Sequence, residues 1–394
     1  MIVKIGDVIS EYSVRNKFDE NIPVYSVTNE KGFCTGYFSK EVASKDKSTY
    51  KIVPRGYFAY NPSRINVGSV DWQKYEDRVI VSPLYVVFGV SDRLDRQYLL
   101  HYLKSDMMLS FIKEYATGSV RDNLKLADLG EFPINLRPVE EQRQIAATLD
   151  KIDDLIAKRR QQLDKLDELV KSRFIEMFGD PITNEMGWEK VQLSTCIESI
   201  DNGKSLVCDT SARQGNWPAV LKLSAATYGF YRPEENKAML DENQFVEDAA
   251  VRAGDLLFTR KNTPELVGMC AYVYDTPSRL MMPDLIFRLN TTNRCNKVFL
   301  WKLINHNLFR DCIRAISTGS AKSMSNISKE RLLNLEIILP PAELQEQFAV
   351  FVALIDKSKY RQEKCIGFFQ CLEKTLDRSG YDVEFWLSQN EKRI

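Results

Sequence analysis

The sequence predicts an α+β fold in which two mixed α/β domains and two long antiparallel helices form a pseudo-two-fold internal repeat. Thr117–Ser119, a polar stretch and Pro138–Ile145 return near the C-terminus as Thr318–Ser320, a polar stretch and Pro341–Phe348. Pro341 follows Pro138 by 203 residues, a step much longer than the roughly 20–50 residues of solenoid repeats. A helical pattern of apolar residues follows each proline. We therefore expect a duplicated unit of one domain and one helix.

The composition is that of an ordinary globular chain. Of its 394 residues, 44% are hydrophobic, and no apolar run reaches the roughly 18 residues of a membrane span. Met1–Asp7 lacks the apolar core of a signal peptide, so we expect a cytoplasmic chain that does not bind a membrane. The eight cysteines form no C-x-x-C pair, which predicts free thiols. The 54 basic and 54 acidic residues exclude a uniformly basic protein but allow one basic face.

We expect a first domain at residues 1–137. Ile52–Tyr60 has the pattern of a strand with a turn, and Arg78–Phe88 is a run of β-branched and aromatic residues. A helix is predicted from about Asp95 to Tyr115, because apolar residues recur there at steps of three and four.

The first long helix is predicted at residues 138–179. Pro138 suits the first helical turn, where a missing N–H needs no partner, and Gly179 followed by Pro181 suits the end. At 1.5 Å per residue the helix is roughly 58 Å long. Its apolar seam omits one turn near Arg159, and a seam this narrow requires a partner helix. The seam residues are Ile145, Leu149, Ile152, Ile156, Leu163, Leu166, Val170 and Phe174.

The second copy supplies a partner. A second domain is expected at 180–339, with a helix from about Val298 to Ile316, and a second long helix at 340–379. Adding 203 to six apolar positions of the first helix gives six apolar positions of the second: Phe348, Val352, Ile355, Ile366, Phe369 and Leu372. The shared seam predicts an intramolecular antiparallel pair, although periodicity alone also allows a homodimeric coiled coil with two heads of any function. Residues 380–394 have no counterpart and are expected to be a C-terminal tail.

The sequence lacks the patterns of common catalytic sites. His101 and His306 both lie in predicted amphipathic helices, which favours structural roles. Asn202–Ser205 ends like a P-loop, but Glu198 occupies the position of its first glycine. Asn61–Arg64 shares only its first two residues with the Asn-Pro-Pro-Tyr box of amino-methyltransferases. We therefore expect no catalytic and no metal-binding residues in this chain.

Polar loops at corresponding places of the two copies are candidates for DNA contact. Arginine can pair with guanine and asparagine with adenine in the major groove, while serine, lysine and backbone amides suit phosphates. The candidates in the first copy are Arg15, Lys17, Asn61, Arg64, Asn66, Ser119, Arg121 and Lys125. Those in the second copy are Lys204, Arg260, Lys261, Asn262, Ser320, Lys322 and Ser323.

Taken together, these features resemble the specificity subunit of a type I restriction–modification enzyme. The resemblance is carried by the helix opening Arg137–Ile145 with Leu149–Asp153, the helix exit Phe174–Pro181, the restart at Gly187–Trp188 and the duplicated plan. The second helix opening is looser than the first, and Lys359 replaces the seam residue Ile156.

The resemblance implies that each domain is a target recognition domain for one half of a bipartite, asymmetric site in double-stranded DNA. It implies that the helices set the gap between the half-sites and dock two methyltransferase subunits, which the restriction and motor subunits then join. The chain itself would be non-catalytic and without a cofactor, and S-adenosylmethionine, Mg and ATP are expected on the partner subunits. An interaction protein with two heads that do not bind DNA is the alternative.

Overall fold

The computed structural model describes residues 1–36, 46–117, 123–319 and 324–378. The chain divides into two compact units, of which unit 1 comprises Met1–Gln161 with Gln362–Ile394, and unit 2 comprises Gln162–Arg361. Both divisions fall inside the long helices, whereas the sequence suggested domain limits at the helix ends. Each unit therefore contains one mixed domain and part of both helices.

Unit 1 begins with short strands followed by helices, and its first long helix continues into unit 2. The strands are β1 (Ile2–Lys4), β2 (Ile9–Glu11), β3 (Ser26–Thr28), β4 (Gly32–Cys34), β5 (Lys51–Pro54), β6 (Phe58–Tyr60), β7 (Val70–Trp72), β8 (Arg78–Val81), β9 (Val86–Val90) and β10 (Pro133–Asn135). The helices are α1 (Arg96–Lys104), α2 (Asp106–Thr117), α3 (Leu126–Gly130) and α4 (Val139–Phe178).

The main sheet of unit 1 is antiparallel and has the strand order β2-β9-β6-β7. The smaller sheets pair β1 with β10, β3 with β4 and β5 with β8. The predicted strand with a turn at Ile52–Tyr60 is β5 and β6. The predicted run Arg78–Phe88 is divided into β8 and β9 by a turn, where the Tyr85 amide donates to Ser82 O. Pro83 lies in this turn, where it removes no hydrogen bond from a strand.

The long helices pack against each other within unit 1. Leu372, close to the end of α9 (Ala342–Arg378), belongs to the same buried cluster as Ile145 and Ile152 near the start of α4. Arg159 fills the gap in the apolar seam, because its guanidinium donates to Gln362 Oε1 at 2.8 Å. The two helix segments in this unit are therefore antiparallel.

Unit 2 likewise begins with short strands and continues into helices, but the short helix α5 lies among its strands and β20 lies between α7 and α8. Its strands are β11 (Glu189–Gln192), β12 (Ile197–Asn202), β13 (Ala219–Leu221), β14 (Asn236–Ala238), β15 (Leu256–Thr259), β16 (Lys261–Asn262), β17 (Cys270–Tyr272), β18 (Leu280–Met281), β19 (Ile286–Thr291), β20 (Ser325–Asn326) and β21 (Glu336–Leu339). Its helices are α5 (Ser224–Thr227), α6 (Lys297–Asn305), α7 (Arg310–Ala315), α8 (Lys329–Leu333) and the first part of α9.

The main sheet of unit 2 has the order β12-β19-β15-β17, which matches the order in unit 1 strand for strand. β11 pairs with β21 as β1 pairs with β10. The remaining strands form the sheets β14-β13-β18 and β16-β20. β6 and β15 therefore occupy the same inner position in their sheets.

Aromatic packing joins the long helices in unit 2. Phe348 of α9 is fully buried, with ring centroids 5.6 Å from Phe174 and 5.3 Å from Phe178 of α4. Lys359, at the position equivalent to Ile156, forms an ion pair with Asp167 at 2.6 Å instead of packing in an apolar seam. Leu169, predicted to match the buried Leu372, is exposed because the seam continues through Val170.

A buried glutamine fastens each long helix to the mixed domain of its unit. Gln142 donates from Nε2 to Arg93 O and Arg137 O and accepts from the Asp95 amide at 2.7 Å. In unit 2, Gln345 donates to Arg294 O and Pro340 O and accepts from the Asn296 amide at 2.8 Å.

The two residues whose backbone amides donate to these glutamines also cap helices. Asp95 and Asn296 are the N-caps of α1 and α6, and each side chain accepts hydrogen bonds from the first helical turn. The repeated glutamine thus joins the start of a long helix to the capped start of a domain helix.

Two single helices predicted from the sequence are interrupted. The predicted helix Asp95–Tyr115 divides at Ser105, whose hydroxyl accepts from the Met108 amide in the manner of an N-cap. The predicted helix Val298–Ile316 divides at His306, whose backbone is extended. The end of α4 agrees with the sequence, since Gly179 has a φ of +71° after the last helical residue.

Candidate nucleic-acid interface

In unit 1, the turn after β6 and the segment before α3 lie side by side. The Tyr60 hydroxyl donates to Leu124 O at 3.1 Å, and the Leu124 amide donates to Pro62 O at 3.2 Å. These bonds bring the exposed Arg64 and Lys125 onto neighbouring segments. The two predicted candidates are thus adjacent in the fold, although they are far apart in the sequence.

The side chains of the turn after β6 differ in whether their hydrogen-bonding groups are already used within the turn. Asn61 Oδ1 accepts from the amide and the hydroxyl of Ser63, so this oxygen shapes the turn. Arg64 is exposed at the N-terminal side of the 3-10 turn Ile65–Val67, and Asn66 within that turn is half-buried. Arg64 is therefore the most available donor of the Asn61–Asn66 segment.

Arg15 and Lys17 are exposed and connect to the same region through Lys51 and Tyr85. The Arg15 backbone pairs with Lys51, and Lys51 Nζ donates to Tyr85 O at 2.7 Å. Burial lowers the pKa of Lys51, and the nearby charge of Arg15 adds to this effect while Glu11 opposes it. Arg15 and Lys51 are therefore close enough to influence each other.

In unit 2, a small sheet unites two candidate loops. β16 pairs with β20, so that Lys261 lies opposite Asn326, and Thr318 forms a further bridge with Asn326. Arg260 Nε donates to Asn326 Oδ1 at 3.4 Å, and its guanidinium lies 5.1 Å from the ring centroid of Phe287. Arg260 and Lys261, which follow β15, therefore lie beside Thr318 and Asn326.

The structure contradicts the prediction that the side chain of Asn262 is available to contact DNA. Its side chain is only 7% exposed, its Nδ2 donates to Thr227 Oγ1 at 3.1 Å, and its Oδ1 accepts from the Thr263 amide. An amide used in this way is not available to pair with adenine. Asn262 instead fixes the position of Thr227, and the sequence pattern could not distinguish an inward from an outward side chain.

Lys204 is exposed on a loop that lies against the Met282–Leu285 segment, which precedes β19. The Lys204 amide donates to Met282 O at 3.0 Å, while the Arg260 amide donates to Leu285 O at 3.0 Å. A Cβ on Gly203 would lie 2.1 Å from Pro283 O, so only glycine allows this close approach. Lys204 and Arg260 are thus both attached to the Met282–Leu285 segment.

A buried arginine supports this loop from below. Arg288 Nε donates to Asp201 Oδ2 at 3.0 Å, and its other nitrogens donate to Asp255 and to two backbone carbonyls. Although burial opposes the change, hydrogen bonds from Asn290 and Arg288 lower the pKa of Asp201. The charged pair fixes the strand that ends at Asn202, two residues before Lys204.

Five predicted candidates fall outside the described residues. They are Ser119, Arg121, Ser320, Lys322 and Ser323.

Sequence analysis missed two groups in unit 2. Lys329 Nζ lies 5.7 Å from the same Phe287 ring as Arg260, and it donates to Ile200 O. The second group is the loop Tyr228–Arg232, in which Tyr228 and Phe230 are exposed beside Arg232. Three aromatic residues and an arginine within five positions were a signal that could have identified this loop.

The described residues contain no cluster of histidine, cysteine, aspartate or glutamate that could hold a metal ion. His101 Nε2 lies 2.8 Å from Asp150, and His306 stacks on Phe174 with centroids 5.0 Å apart. Burial lowers the pKa of His306. Within the described part of the chain, no helix is long and apolar enough to cross a membrane.

Comparisons with known proteins all find similarity to type I restriction–modification specificity subunits. Residues 2–168 match the family model described as type I restriction modification DNA specificity domain. The EcoEI specificity subunit of Escherichia coli is 29% identical over 196 residues, which cover 48% of this chain and 33% of that protein. The EcoKI specificity subunit of Escherichia coli strain K12 is 20% identical over 300 residues, which cover 72% of this chain and 61% of that protein. The chain thus spans less than two thirds of the length of either relative.

Two solved structures share the fold over nearly the whole chain. A chain from a study of complex assembly and conformational transition of the type I R-M system has a TM-score of 0.53 at 18% identity, covering 97% of both chains. The type I restriction–modification S subunit from M. genitalium has a TM-score of 0.54 at 13% identity, covering 96% of this chain and 94% of that one. The resemblance predicted from the sequence is confirmed as a similarity: residues 2–168 match the model of the type I restriction modification DNA specificity domain, and the chain shares the α+β fold of these two solved chains.

Proposed function

We propose that this chain is the DNA sequence-specificity subunit of a type I restriction–modification complex and works in the cytoplasm. The observation that carries the proposal is the repeated placement of an arginine. Arg64 follows β6 and Arg260 follows β15, and these two strands hold the same inner position in sheets of identical order. An arginine on such a loop can donate two hydrogen bonds to guanine or bind phosphate.

Each unit would recognise one half of a bipartite, asymmetric site in double-stranded DNA. In unit 1 the candidate surface combines Arg15, Arg64 and Lys125, whereas in unit 2 it combines Lys204, Arg260 and Lys261. The same strand order with different side chains at the strand ends suits two readers of different sequences. The repeat would then be a pseudo-two-fold arrangement of two target recognition domains.

The long helices would act as a spacer that sets the gap between the half-sites. α4 has 40 residues and α9 has 37, which gives helices roughly 60 Å and 55 Å long at 1.5 Å per residue. Their exposed faces would dock two methyltransferase subunits, which the restriction and motor subunits join. S-adenosylmethionine, Mg and ATP would bind to those partners, and this chain would itself catalyse no step.

Affinity and sequence choice would come from different contacts. Lysine and arginine contacts with phosphates would dominate affinity and make it fall steeply with salt. Contacts with base edges would select the sequence, each good bidentate pair contributing about 1–3 kcal/mol of discrimination. The neutral net charge of the chain is compatible with this scheme, because the cationic candidates lie on a few loops of each unit.

The direct test is a genome-wide map of modified adenines in the source strain with and without the gene for this chain. We expect one bipartite motif to lose its modification when the gene is removed and to regain it on complementation. An unchanged map in a strain with functional partner subunits would contradict the proposal and would favour an interaction protein that does not bind DNA.

A further inference from the structure

The loop Tyr228–Arg232 of unit 2 exposes two aromatic rings beside one cation. Tyr228 is 52% exposed and Phe230 is 46% exposed. The guanidinium carbon of Arg232 lies 5.0 Å from the Tyr228 ring centroid and 4.5 Å from that of Phe230. Most large apolar side chains of this unit are buried. An exposed surface that is both apolar and positively charged therefore indicates a binding site.

The loop is fixed to the body of unit 2. Trp301 Nε1 donates to Gly229 O at 2.8 Å, and the Arg232 amide donates to Ala225 O at 2.9 Å. The Tyr231 hydroxyl lies 2.7 Å from Thr276 Oγ1. Gly229 has a φ of +86°, which places the two rings on either side of a tight turn. A preorganised loop loses little conformational entropy when a ligand binds.

This loop is continuous with the candidate DNA surface. Asn262 Nδ2 donates to Thr227 Oγ1, and Thr227 immediately precedes Tyr228. Asn262 in turn follows Lys261 on β16, and Arg260 lies between β15 and β16. The buried amide thus joins the aromatic loop to the cationic loop that follows β15.

Arg232 retains donors for a ligand. The guanidinium of Arg232 lies over the ring faces of Tyr228 and Phe230. Among the described residues, no acceptor takes a hydrogen bond from this guanidinium. Stacking on aromatic rings leaves the edge of a guanidinium open, which is the part that binds phosphate or guanine.

The turn at the corresponding place of unit 1 is polar. It follows Thr28 and carries Asn29, Glu30 and Lys31, and Lys104 of α1 holds it by donating to Asn29 O at 3.3 Å. The two turns are therefore held by side chains of α1 and α6, respectively, but of these two turns only the one in unit 2 exposes aromatic rings.

We propose that Tyr228, Phe230 and Arg232 form an aromatic contact element through which unit 2 recognises its DNA half-site. The two rings pack against an apolar base surface, such as thymine methyl groups or the face of a distorted base step, and the guanidinium binds an adjacent phosphate. The proposal rests on the DNA-binding function proposed above, and it adds an apolar specificity determinant that the polar turn Asn29–Lys31 of unit 1 does not share.

The positive charge and the continuity with Arg260 favour DNA over a protein as the occupant. A protein partner would be expected to cover the rings with apolar side chains, whereas the open edge of Arg232 requires an anionic or acceptor group beside the rings. A DNA backbone supplies that group at every base step.

The test uses the full chain assembled with its methyltransferase subunits and a duplex that carries the bipartite motif from the adenine map. The variants are Tyr228→Ala/Phe230→Ala, Tyr228→Leu/Phe230→Leu and Arg232→Ala. Tyr75→Ala is the matched control, because Tyr75 is a similarly exposed aromatic residue in unit 1. Measured quantities are affinity as a function of salt, the methylated motif in cells and the amount of methyltransferase that co-purifies.

We expect the double alanine variant to weaken binding by about tenfold or more and to relax base preference in one half-site alone. The double leucine variant should retain more affinity, because it keeps an apolar surface. Arg232→Ala should reduce the slope of log affinity against log salt by about one, and Tyr75→Ala should change none of these quantities.

Two results would overturn the proposal while leaving the proposed function intact. One is an unchanged motif and affinity for the double alanine variant. The other is loss of methyltransferase from the complex with a normal motif in the remainder, which would make this face a protein interface. Failure of the unsubstituted complex to prefer the bipartite duplex over a scrambled one would instead refute the proposed function, and the aromatic element with it.

Discussion

Replacing Gln345 with methionine should destabilise unit 2, because this fully buried side chain makes three hydrogen bonds to the backbone. Methionine has a similar volume but cannot bond to Arg294 O, Pro340 O or the Asn296 amide. Leaving a buried donor or acceptor unpaired costs about 1–3 kcal/mol. With partial relief by water and small backbone shifts, we expect a total loss of about 3 kcal/mol.

The loss should be local as well as global. The Asn296 amide belongs to the N-cap of α6, so the first turn of α6 should open more often in the variant. A change of about 3 kcal/mol corresponds to roughly a hundredfold fall in amide protection. Hydrogen exchange followed by mass spectrometry on peptides around Asn296 measures this directly, and urea denaturation measures the free energy of unfolding.

The chain supplies both a replicate and a control. Gln142→Met should reproduce the effect around Asp95 in unit 1, because Gln142 makes the equivalent three bonds. Gln144→Met and Gln347→Met change exposed glutamines two positions further along each helix, and they should cost no more than about 0.5 kcal/mol. Equal effects from the buried and the exposed substitutions would refute the idea that the repeated glutamine fastens helix to domain.

The remaining predictions concern the interior of unit 2. Phe348→Ala should lower the free energy of unfolding by about 3–5 kcal/mol, since it removes a fully buried ring packed against Phe174 and Phe178; a loss below about 1 kcal/mol in urea denaturation would show that this cluster does not hold the helices. Burial lowers the pKa of Lys302 to about 8. The positive charge of Lys359 adds to this decrease, whereas the negative charges of Asp356 and Asp167 oppose it. Below pH 8 the folded state therefore carries the cost of a partly buried charge, and stability should rise as the pH increases from 8 to the usual value of 10.5. Lys302→Met should abolish this rise, and wild-type and variant curves that remain parallel across that range would contradict the assignment.

Features with a regular period could be predicted from the sequence. The 203-residue repeat and the apolar seam predicted long helices at 138–179 and 340–379, and the described residues include α4 at Val139–Phe178 and α9 at Ala342–Arg378. Gly179 predicted the helix end because only a few residue types adopt a positive φ there. The strand-like pattern Ile52–Tyr60 corresponds to β5 and β6, because its β-branched and aromatic residues are a local signal.

Features that depend on contacts between distant residues could not be predicted. The seam gap at Arg159 is filled by Gln362, and Lys359 is neutralised by Asp167, but neither partner can be inferred from local periodicity. Ser105 and His306 interrupt helices whose apolar pattern continues past them. Asn262 resembles a loop residue in sequence, yet its side chain points inward to Thr227.

The central claim is that each unit recognises one half of the site, and the most direct measurement is the modified-adenine motif of strains that carry Arg64→Ala or Arg260→Ala. Arg55→Ala and Arg252→Ala are matched controls, because these arginines precede β6 and β15 while Arg64 and Arg260 follow them.

We predict that Arg64→Ala relaxes or abolishes one half of the motif, that Arg260→Ala affects only the other half, and that both controls leave the motif intact. A single base contact of this kind is expected to contribute about 1–3 kcal/mol, enough to change the methylated sequences visibly. If both variants altered the same half, or if each altered both halves equally, the assignment of one unit to one half-site would be wrong.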